Sequence, residues 1–116
     1  MNLSSQTYGS VELVSLPARL VMANAQEARS AIRNLVDDGR IRLVLDLRAV
    51  QFVDSSGLSV LVSTLKAVQS HNGRVVLLSP SDSVRSLIEL TRLHQVFEIF
   101  EDRYAAISEL NGHEIA

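Results

Sequence analysis

Three short apolar segments alternate with three helical patterns in the second half of the chain, and this alternation limits the possible folds more than any other feature. The apolar segments span 41–47, 75–78 and 96–100, and the helical patterns span 58–68, 84–91 and 102–110. Short β-branched runs are typical of buried strands, and apolar residues that recur at three and four are typical of helices. Strands that alternate with helices through short loops usually pair in parallel. The sequence therefore predicts an α/β protein.

The amino-terminal part adds further strands and a helix. Residues 8–16 partly alternate and predict a first strand, and residues 19–22 predict a short second one. Asn24 and Glu27 have the spacing of a capping box, so a helix is predicted to start at Asn24 and to end at Gly39. We expect a small mixed sheet of about four or five strands, with an antiparallel amino-terminal edge, flanked by about four helices.

The composition is that of one globular domain, which we assign to residues 1–116 with a core over about 8–110 and loose termini, including the tail from Asn111. The chain is 47% hydrophobic and 21% charged and has no long apolar run, so neither a membrane span nor a secretory signal is expected. It contains no cysteine, which excludes disulfides and fits a cytoplasmic location. A net charge of −2 with scattered basic residues argues against nucleic-acid binding.

The segment Asp54-Ser55-Ser56-Gly57 lies where strand-like sequence gives way to the helical pattern of 58–68. In parallel sheets such junctions form the working surface, because loops at the carboxyl ends of strands lead into helix amino termini. Asp54 or Ser55 can cap the helix by accepting hydrogen bonds from unpaired backbone N–H groups. A phosphate on a serine would also be favoured by those groups and by the helix dipole, and would be repelled by Asp54. The residues alone therefore predict a modification site at Ser55 or at Ser56.

The helix that follows is predicted to bury one face and to expose the other. The predicted core positions are Leu58, Leu61, Val62, Leu65 and Val68. The opposite side carries small or weakly polar residues, namely Ser56, Val60, Ser63, Thr64, Ala67 and Ser70. Exposed helix faces normally carry Lys and Glu, whereas small side chains let another backbone approach closely. We interpret this side as a docking face for a partner protein, with packing under a neighbouring element of the same chain as the alternative.

Three segments carry a family resemblance: L-V-L-D-L-R-A-V-Q-F-V-D-S-S-G-L at 43–58, R-V-V-L-L at 74–78, and V-R-S-L-I-E-L-T-R-L-H-Q-V-F-E-I-F at 84–100. With these segments in this order, the chain resembles the STAS-domain anti-sigma factor antagonists from about Ser10 to Leu110. The resemblance implies the STAS fold and a binding module without catalytic activity or cofactor. It also implies two partners, an anti-sigma factor that is a serine kinase of the histidine-kinase-like ATPase type and a metal-dependent serine phosphatase.

The same resemblance implies a switch. In the family, the unphosphorylated antagonist binds the anti-sigma factor and frees the sigma factor, and the phosphorylated antagonist lets go. The acceptor is the hydroxyl directly after the aspartate, which is Ser55 in this chain, with Ser56 as the alternative. The predicted partner-binding residues are Asp54, Ser56, Gly57, Val60, Ser63, Thr64 and Ala67.

The sequence departs from the family pattern at two places. Family members often have a glycine-acidic-leucine-aspartate turn before the first helix, with the aspartate beside the phosphoacceptor. Here the corresponding stretch is Ala18-Arg19-Leu20-Val21, so Val21 replaces that aspartate. Where relatives commonly have Thr-Gly-Leu before the last strand, this chain has Thr91-Arg92-Leu93, which alters a turn.

An enzyme is not expected. The S-S-G-L-S segment lacks the G-x-S-x-G elbow of hydrolases, and His71, His94 and His113 are predicted at a helix end, in a loop and in the tail. The sequence has no phosphate-binding loop, H-E-x-x-H motif or clustered metal ligands, so no catalytic or metal site is predicted. Asp46 either lines the same surface as Ser55 or is a solvated turn residue. The alternative function is a non-switching STAS scaffold in a stressosome-like or lipid-transport assembly.

Overall fold

The computed structural model describes residues 3–112, which form seven strands, four α-helices and one 3-10 turn. The strands are β1 (Ser4–Tyr8), β2 (Val11–Ser15), β3 (Arg19–Leu20), β4 (Arg42–Asp46), β5 (Phe52–Val53), β6 (Arg74–Leu78) and β7 (Ile99–Phe100). The helices are α1 (Met22–Asp37), α2 (Ser55–Gln69), α3 (Asp82–Leu90) and α4 (Arg103–Leu110), with the 3-10 turn at Leu93–Gln95.

Five of the strands form one mixed sheet in the order β1-β2-β4-β6-β7. β1 and β2 are antiparallel at one edge, and the later neighbours are all parallel. β3 and β5 form a separate parallel pair in which Arg19 lies opposite Phe52. The predicted small mixed sheet with an antiparallel amino-terminal edge and four helices is confirmed.

Alternation along the central strands divides the core into two layers. Leu43 and Leu45 point to the face covered by α1, α2 and α3, where they join the larger apolar cluster. Val44 points to the other face, where it packs with residues of α4 such as Ala106. The fold therefore has helices on both faces of the sheet, and α2 lies on the side opposite α4.

The first edge of the sheet differs from its prediction. Instead of one strand over 8–16, the chain forms the hairpin β1-β2, which turns at Gly9 with a φ of 64°. β1 is polar and mostly exposed, so it carries no apolar signal. The tail is not loose at its start either, because the Asn111 side-chain oxygen accepts a hydrogen bond of 2.9 Å from the Ser10 hydroxyl. The predicted tail from His113 onward lies outside the described residues.

The start of α1 also differs from its prediction. The helix begins at Met22, and Asn24 lies in its first turn instead of at the cap. Asn24 Oδ1 accepts a hydrogen bond of 2.9 Å from the Val21 N–H, and Asn24 Nδ2 donates one of 2.8 Å to the Arg19 carbonyl. Asn24 therefore ties the first turn of α1 back to β3, which explains why an N-cap residue type occurs inside the helix.

The turn after α3 has the geometry that a glycine favours. Arg92 adopts a φ of 63° in the left-handed region, at the place where the family pattern has glycine. The replacement thus keeps the turn and places an arginine in it. The 3-10 turn that follows shortens the predicted strand over 96–100 to Ile99–Phe100.

Among residues 3–112, none of the helices is both long enough and apolar enough to cross a membrane.

Candidate functional site

The Asp54–Ser55 junction connects β5 to α2. Asp54 has extended backbone angles and is the N-cap of α2, and Ser55 is the first residue of the helix. Asp54 Oδ1 accepts a hydrogen bond of 2.9 Å from the Gly57 N–H, which satisfies one of the free donors of the first turn. Of the two residues predicted as possible caps, Asp54 is therefore the one that caps the helix.

The same carboxylate also caps α1. Asp54 Oδ2 accepts a hydrogen bond of 3.0 Å from the Met22 N–H, the first residue of α1. The residue before it, Val21, has no polar side-chain atom and cannot accept that bond itself. Asp54 thus satisfies the first free N–H of α1 from outside that helix, whereas a polar side chain at position 21 would accept from the second or third helical N–H.

These two bonds stabilise the ionised form of Asp54. The backbone hydrogen bond from Gly57 and then the one from Met22 hold the pKa of the Asp54 carboxyl below its ordinary value of 3.8. The carboxylate is therefore ionised at neutral pH. A permanent negative charge lies directly before Ser55.

The two serines differ in accessibility. Ser55 is exposed, whereas Ser56 is half-buried on the side of the helix nearer to α1. Within the described part of the chain, the Ser55 hydroxyl has no hydrogen-bond partner, so it is not engaged in capping. Accessibility favours Ser55 over Ser56, and phosphorylation of either serine stays a prediction.

Gly57 allows α2 to lie against β3. A Cβ atom at this position would be 2.0 Å from the Leu20 carbonyl oxygen and 2.9 Å from the Val53 side chain. No other residue type fits without moving the backbone. The glycine of the D-S-S-G motif is therefore needed to bring Asp54 within reach of both helix amino termini.

The predicted exposure of the docking face of α2 is wrong at its central positions. Val60 is fully buried and Thr64 is 2% exposed, and Gly57 is buried as well. The Thr64 hydroxyl donates to the Val60 carbonyl at 2.8 Å, which satisfies it inside the core. These residues cannot touch a partner directly in this conformation.

The reason is that α2 is covered from two directions. The sheet lies beneath it and α1 lies alongside. The centre of the buried side is therefore rotated about the helix axis toward α1, by about 80° from the centre of the predicted core positions. Ser63, Thr64 and Ala67 line the narrow cleft that α2 shares with Arg29, Ile32 and Arg33 of α1. The small side chains do allow close approach of another helix, but that helix belongs to the same chain.

The outward side of α2 consists instead of Ser55, Ser59, Val62, Lys66 and Gln69, with Ser55, Ser59, Lys66 and Gln69 exposed and Val62 half-buried. Of the predicted partner-binding residues, Asp54, Ser56, Ser63 and Ala67 are half-buried and border this side.

Arg29 was missed by the sequence analysis, because its contact with Ser59 joins residues thirty positions apart and leaves no local pattern.

A second feature that the sequence did not indicate is an apolar groove beside the junction. It lies between the β5 segment and α3 and is lined by Phe52, Val53, Val84, Leu87 and Leu90. Phe52 is 49% exposed and Leu90 is 81% exposed. The Arg19 guanidinium lies 4.8 Å from the centroid of the Phe52 ring, so a cation borders the groove.

Other predicted candidates lie elsewhere. Asp46 projects to the same face of the sheet as Val44, away from α2, and pairs with Arg48 at 3.2 Å. His71 follows α2 at its far end, about 20 Å from Ser55, and contacts the Ala67 carbonyl. His94 lies in the 3-10 turn. Among residues 3–112, no three His, Cys, Asp or Glu side chains are grouped so as to hold a metal ion.

Comparisons with known proteins identify the family and the fold of the chain. The model of the STAS domain family matches residues 2–106. The chain is 31% identical to the protein BtrV of Bordetella bronchiseptica over 84 residues, which is 72% of each protein. It is 26% identical to the anti-sigma-B factor antagonist of Staphylococcus aureus over 101 residues, covering 87% of this chain and 94% of that one. The unphosphorylated anti-sigma factor antagonist SpoIIAA has the same fold, with a TM-score of 0.74 at 19% identity over 96% of this chain and 99% of that one.

Proposed function

Because the chain belongs to the STAS domain family of anti-sigma factor antagonists, we propose that it is a binding module switched by phosphorylation of Ser55. In its unphosphorylated form it binds an anti-sigma factor that is also a serine kinase, and the sigma factor is released. In its phosphorylated form it leaves that partner, until a metal-dependent serine phosphatase removes the phosphate. The module itself is not an enzyme and acts in the cytoplasm as a single domain.

One observation carries this proposal: Ser55 presents an exposed hydroxyl directly after an ionised carboxylate at the amino terminus of a helix. The hydroxyl is accessible to a kinase and is not used to cap α2. The fold around it is held by Asp54 and Gly57, so a modification of Ser55 changes the surface without removing a structural hydrogen bond.

The switch follows from charge. A phosphate adds a charge of about −1.5 to −2 beside the carboxylate of Asp54. A partner surface that fits the neutral serine must then accommodate two neighbouring anions, and like charges brought together at an interface oppose binding. Release therefore needs no change of fold. In keeping with this, SpoIIAA has been solved both unphosphorylated and phosphorylated, and each form matches this chain with a TM-score of 0.74.

The proposed partner surface is the outward side of α2 together with Asp54 and Ser56. The half-buried Ser63 and Ala67 lie at its margin. Gly57, Val60 and Thr64 support it from inside instead of touching the partner.

Intact mass spectrometry tests the modification. The purified chain is incubated with ATP and, one at a time, with the histidine-kinase-like anti-sigma factors of its source organism. We expect one of them to add a single phosphate to the parent and to Ser56→Ala, and none of them to modify Ser55→Ala. Equal labelling of Ser55→Ala would contradict the assignment to Ser55.

Binding to the same kinase tests the switch. We expect Ser55→Asp to bind at least about tenfold more weakly than the parent, which corresponds to about 1.4 kcal/mol. Ser108→Asp is the matched control, since Ser108 is an exposed serine on α4, on the opposite face of the sheet, and we expect it to bind as tightly as the parent. If Ser55→Asp binds as tightly as the parent, the charge does not drive release.

A non-switching scaffold is the second candidate. The chain also matches a portion of the murine Slc26a9 anion transporter with a TM-score of 0.76 at 20% identity, covering 18% of that chain. The likeness shows that the same fold occurs as part of a much longer chain. If none of the kinases modifies the chain, and Ser55→Ala leaves its binding to partners unchanged, the scaffold is favoured.

A further inference from the structure

Arg29 of α1 carries a positive charge to the first turns of α2. Its Nη1 donates a hydrogen bond of 2.8 Å to the Ser59 hydroxyl, and its Nη2 lies 3.5 Å from Gln26 Oε1. Both of these partners are neutral. Arg29 forms no ion pair with any described carboxylate, in contrast to Arg48, which pairs with Asp46. The Arg29 guanidinium is therefore a cation whose charge is not neutralised by a neighbouring side chain.

The position of Arg29 brings this charge close to Ser55. Ser59 follows Ser55 by four residues, so the two side chains are neighbours on one face of α2, with Cβ atoms about 5–6 Å apart. α1 and α2 both begin at the Asp54 carboxylate. Helical side chains lean toward the amino terminus of their helix, so the long side chain of Arg29 reaches back toward the start of α2.

A phosphate on Ser55 would be further stabilised by a nearby cation. Asp54 lies immediately before it, and the bonds from Gly57 and Met22 lower the Asp54 pKa and keep that carboxylate charged. One N–H of the first turn, that of Gly57, is already occupied by Asp54. Guanidinium groups bind phosphate through paired, charge-assisted hydrogen bonds that are stronger than a bond to a neutral hydroxyl.

We propose that Arg29 is the phosphate-binding residue of the phosphorylated form: its guanidinium exchanges the Ser59 hydroxyl for the phosphate on Ser55. This exchange links α1 to α2 across their shared amino-terminal end and offsets the repulsion from Asp54. The inference rests on the proposed function, because it requires that Ser55 accepts the phosphate. It adds that α1 takes part in the switch.

The test does not depend on the kinase. Phosphoserine is incorporated at position 55 during translation, and the second ionisation of the phosphate is followed by 31P NMR in the parent, in Arg29→Gln and in Arg33→Gln. Arg33 is the matched control because it lies one helical turn further along α1 and lines the same cleft. We expect the second ionisation of the phosphate to become weaker in Arg29→Gln, with an acid dissociation constant about threefold lower than in the parent and a correspondingly higher pKa. In Arg33→Gln we expect this constant to be unchanged.

Equal dissociation constants in the parent and in Arg29→Gln would overturn the inference. A second measurement covers the case in which Arg29→Gln does not fold. In the parent chain, phosphorylation of Ser55 is expected to shift the Arg29 Nε–H resonance, and an unshifted resonance would equally overturn the inference. A failed kinase assay on the unmodified chain counts against the proposed function alone, so the two failures are distinguishable.

Discussion

The two sides of α2 look similar in sequence and have opposite roles in the structure. The inner side carries Gly57, Val60 and Thr64, and the outer side carries Ser55, Ser59 and Val62. These six residues are all small or medium-sized and uncharged, yet the first three are buried against β3 and α1, whereas the other three lie on the accessible side with Lys66 and Gln69. The difference teaches that small residues on a helix indicate close contact with another backbone, but do not tell whether that backbone belongs to the same chain.

The largest effect is expected from Gly57→Ala, which disturbs the inner side at its closest contact. The added methyl group would lie 2.0 Å from the Leu20 carbonyl oxygen, so α2 must move away from β3. We expect the free energy of unfolding to fall by about 3 kcal/mol, measured by urea denaturation. Lys66→Ala on the exposed side is the control and is expected to change stability by less than about 0.5 kcal/mol. A Gly57→Ala protein as stable as the parent would show that the contact is not tight.

A matched pair of valines, Val60 and Val62, compares the two sides directly. Val60→Ala removes two buried methyl groups and leaves a cavity, so we expect a loss of about 2 kcal/mol in the free energy of unfolding. Val62→Ala is expected to cost less than about 0.5 kcal/mol. In calorimetric titrations with the anti-sigma factor, Val62→Ala is expected to weaken binding by about 1 kcal/mol. The reverse pattern, with Val62 important for stability and Val60 important for binding, would support the docking face that was predicted from the sequence.

Asp54→Asn tests the N-cap residue of α2, which precedes both the inner and the outer side of that helix. An asparagine has only one acceptor oxygen, so its NH₂ group would face either the Gly57 or the Met22 N–H. We expect a lower urea midpoint than that of the parent at pH 7. The folded-state pKa of Asp54 lies below its ordinary value of 3.8. The contribution of the Asp54 charge to the free energy of unfolding is therefore fully present above pH 3.8 and is lost as the pH falls through the folded-state pKa.

The measurement for this prediction is a series of urea midpoints between neutral and strongly acidic pH. The difference between parent and Asp54→Asn should be constant at higher pH and shrink in acid. Glu89→Gln, an exposed carboxylate on α3, is the control and should show no such narrowing. A difference that does not depend on pH would mean that the charge of Asp54 does not contribute.

The sequence predicted the architecture because the signals for it are local. Residues 41–47, 58–68 and 75–78 each carry their own apolar pattern, and the alternation of strands and helices through short loops indicates parallel pairing. The polar strand Ser4–Tyr8 was missed since its pairing with β2 depends on a neighbour and not on its own side chains. The choice of Ser55 came from a family resemblance, and its exposure agrees with that choice.

The parts that were not predicted all depend on contacts between distant segments. The orientation of α2 is determined by α1 at its side, and no period within α2 records that neighbour. The contacts of Asp54 with Met22 and of Arg29 with Ser59 join residues that lie on different helices. Asn24 was misread as a cap for a similar reason, because its side chain bonds backward to Arg19.

The double role of Asp54 has a consequence for how the chain folds. The first turn of α1 obtains its acceptor from a residue thirty-two positions later, so that helix has no side-chain cap until α2 is in place. A fragment that ends before Asp54 would thus contain α1 without the acceptor of its first N–H. One carboxylate couples the first turns of the two helices, because a loss of its position removes an acceptor from both at once.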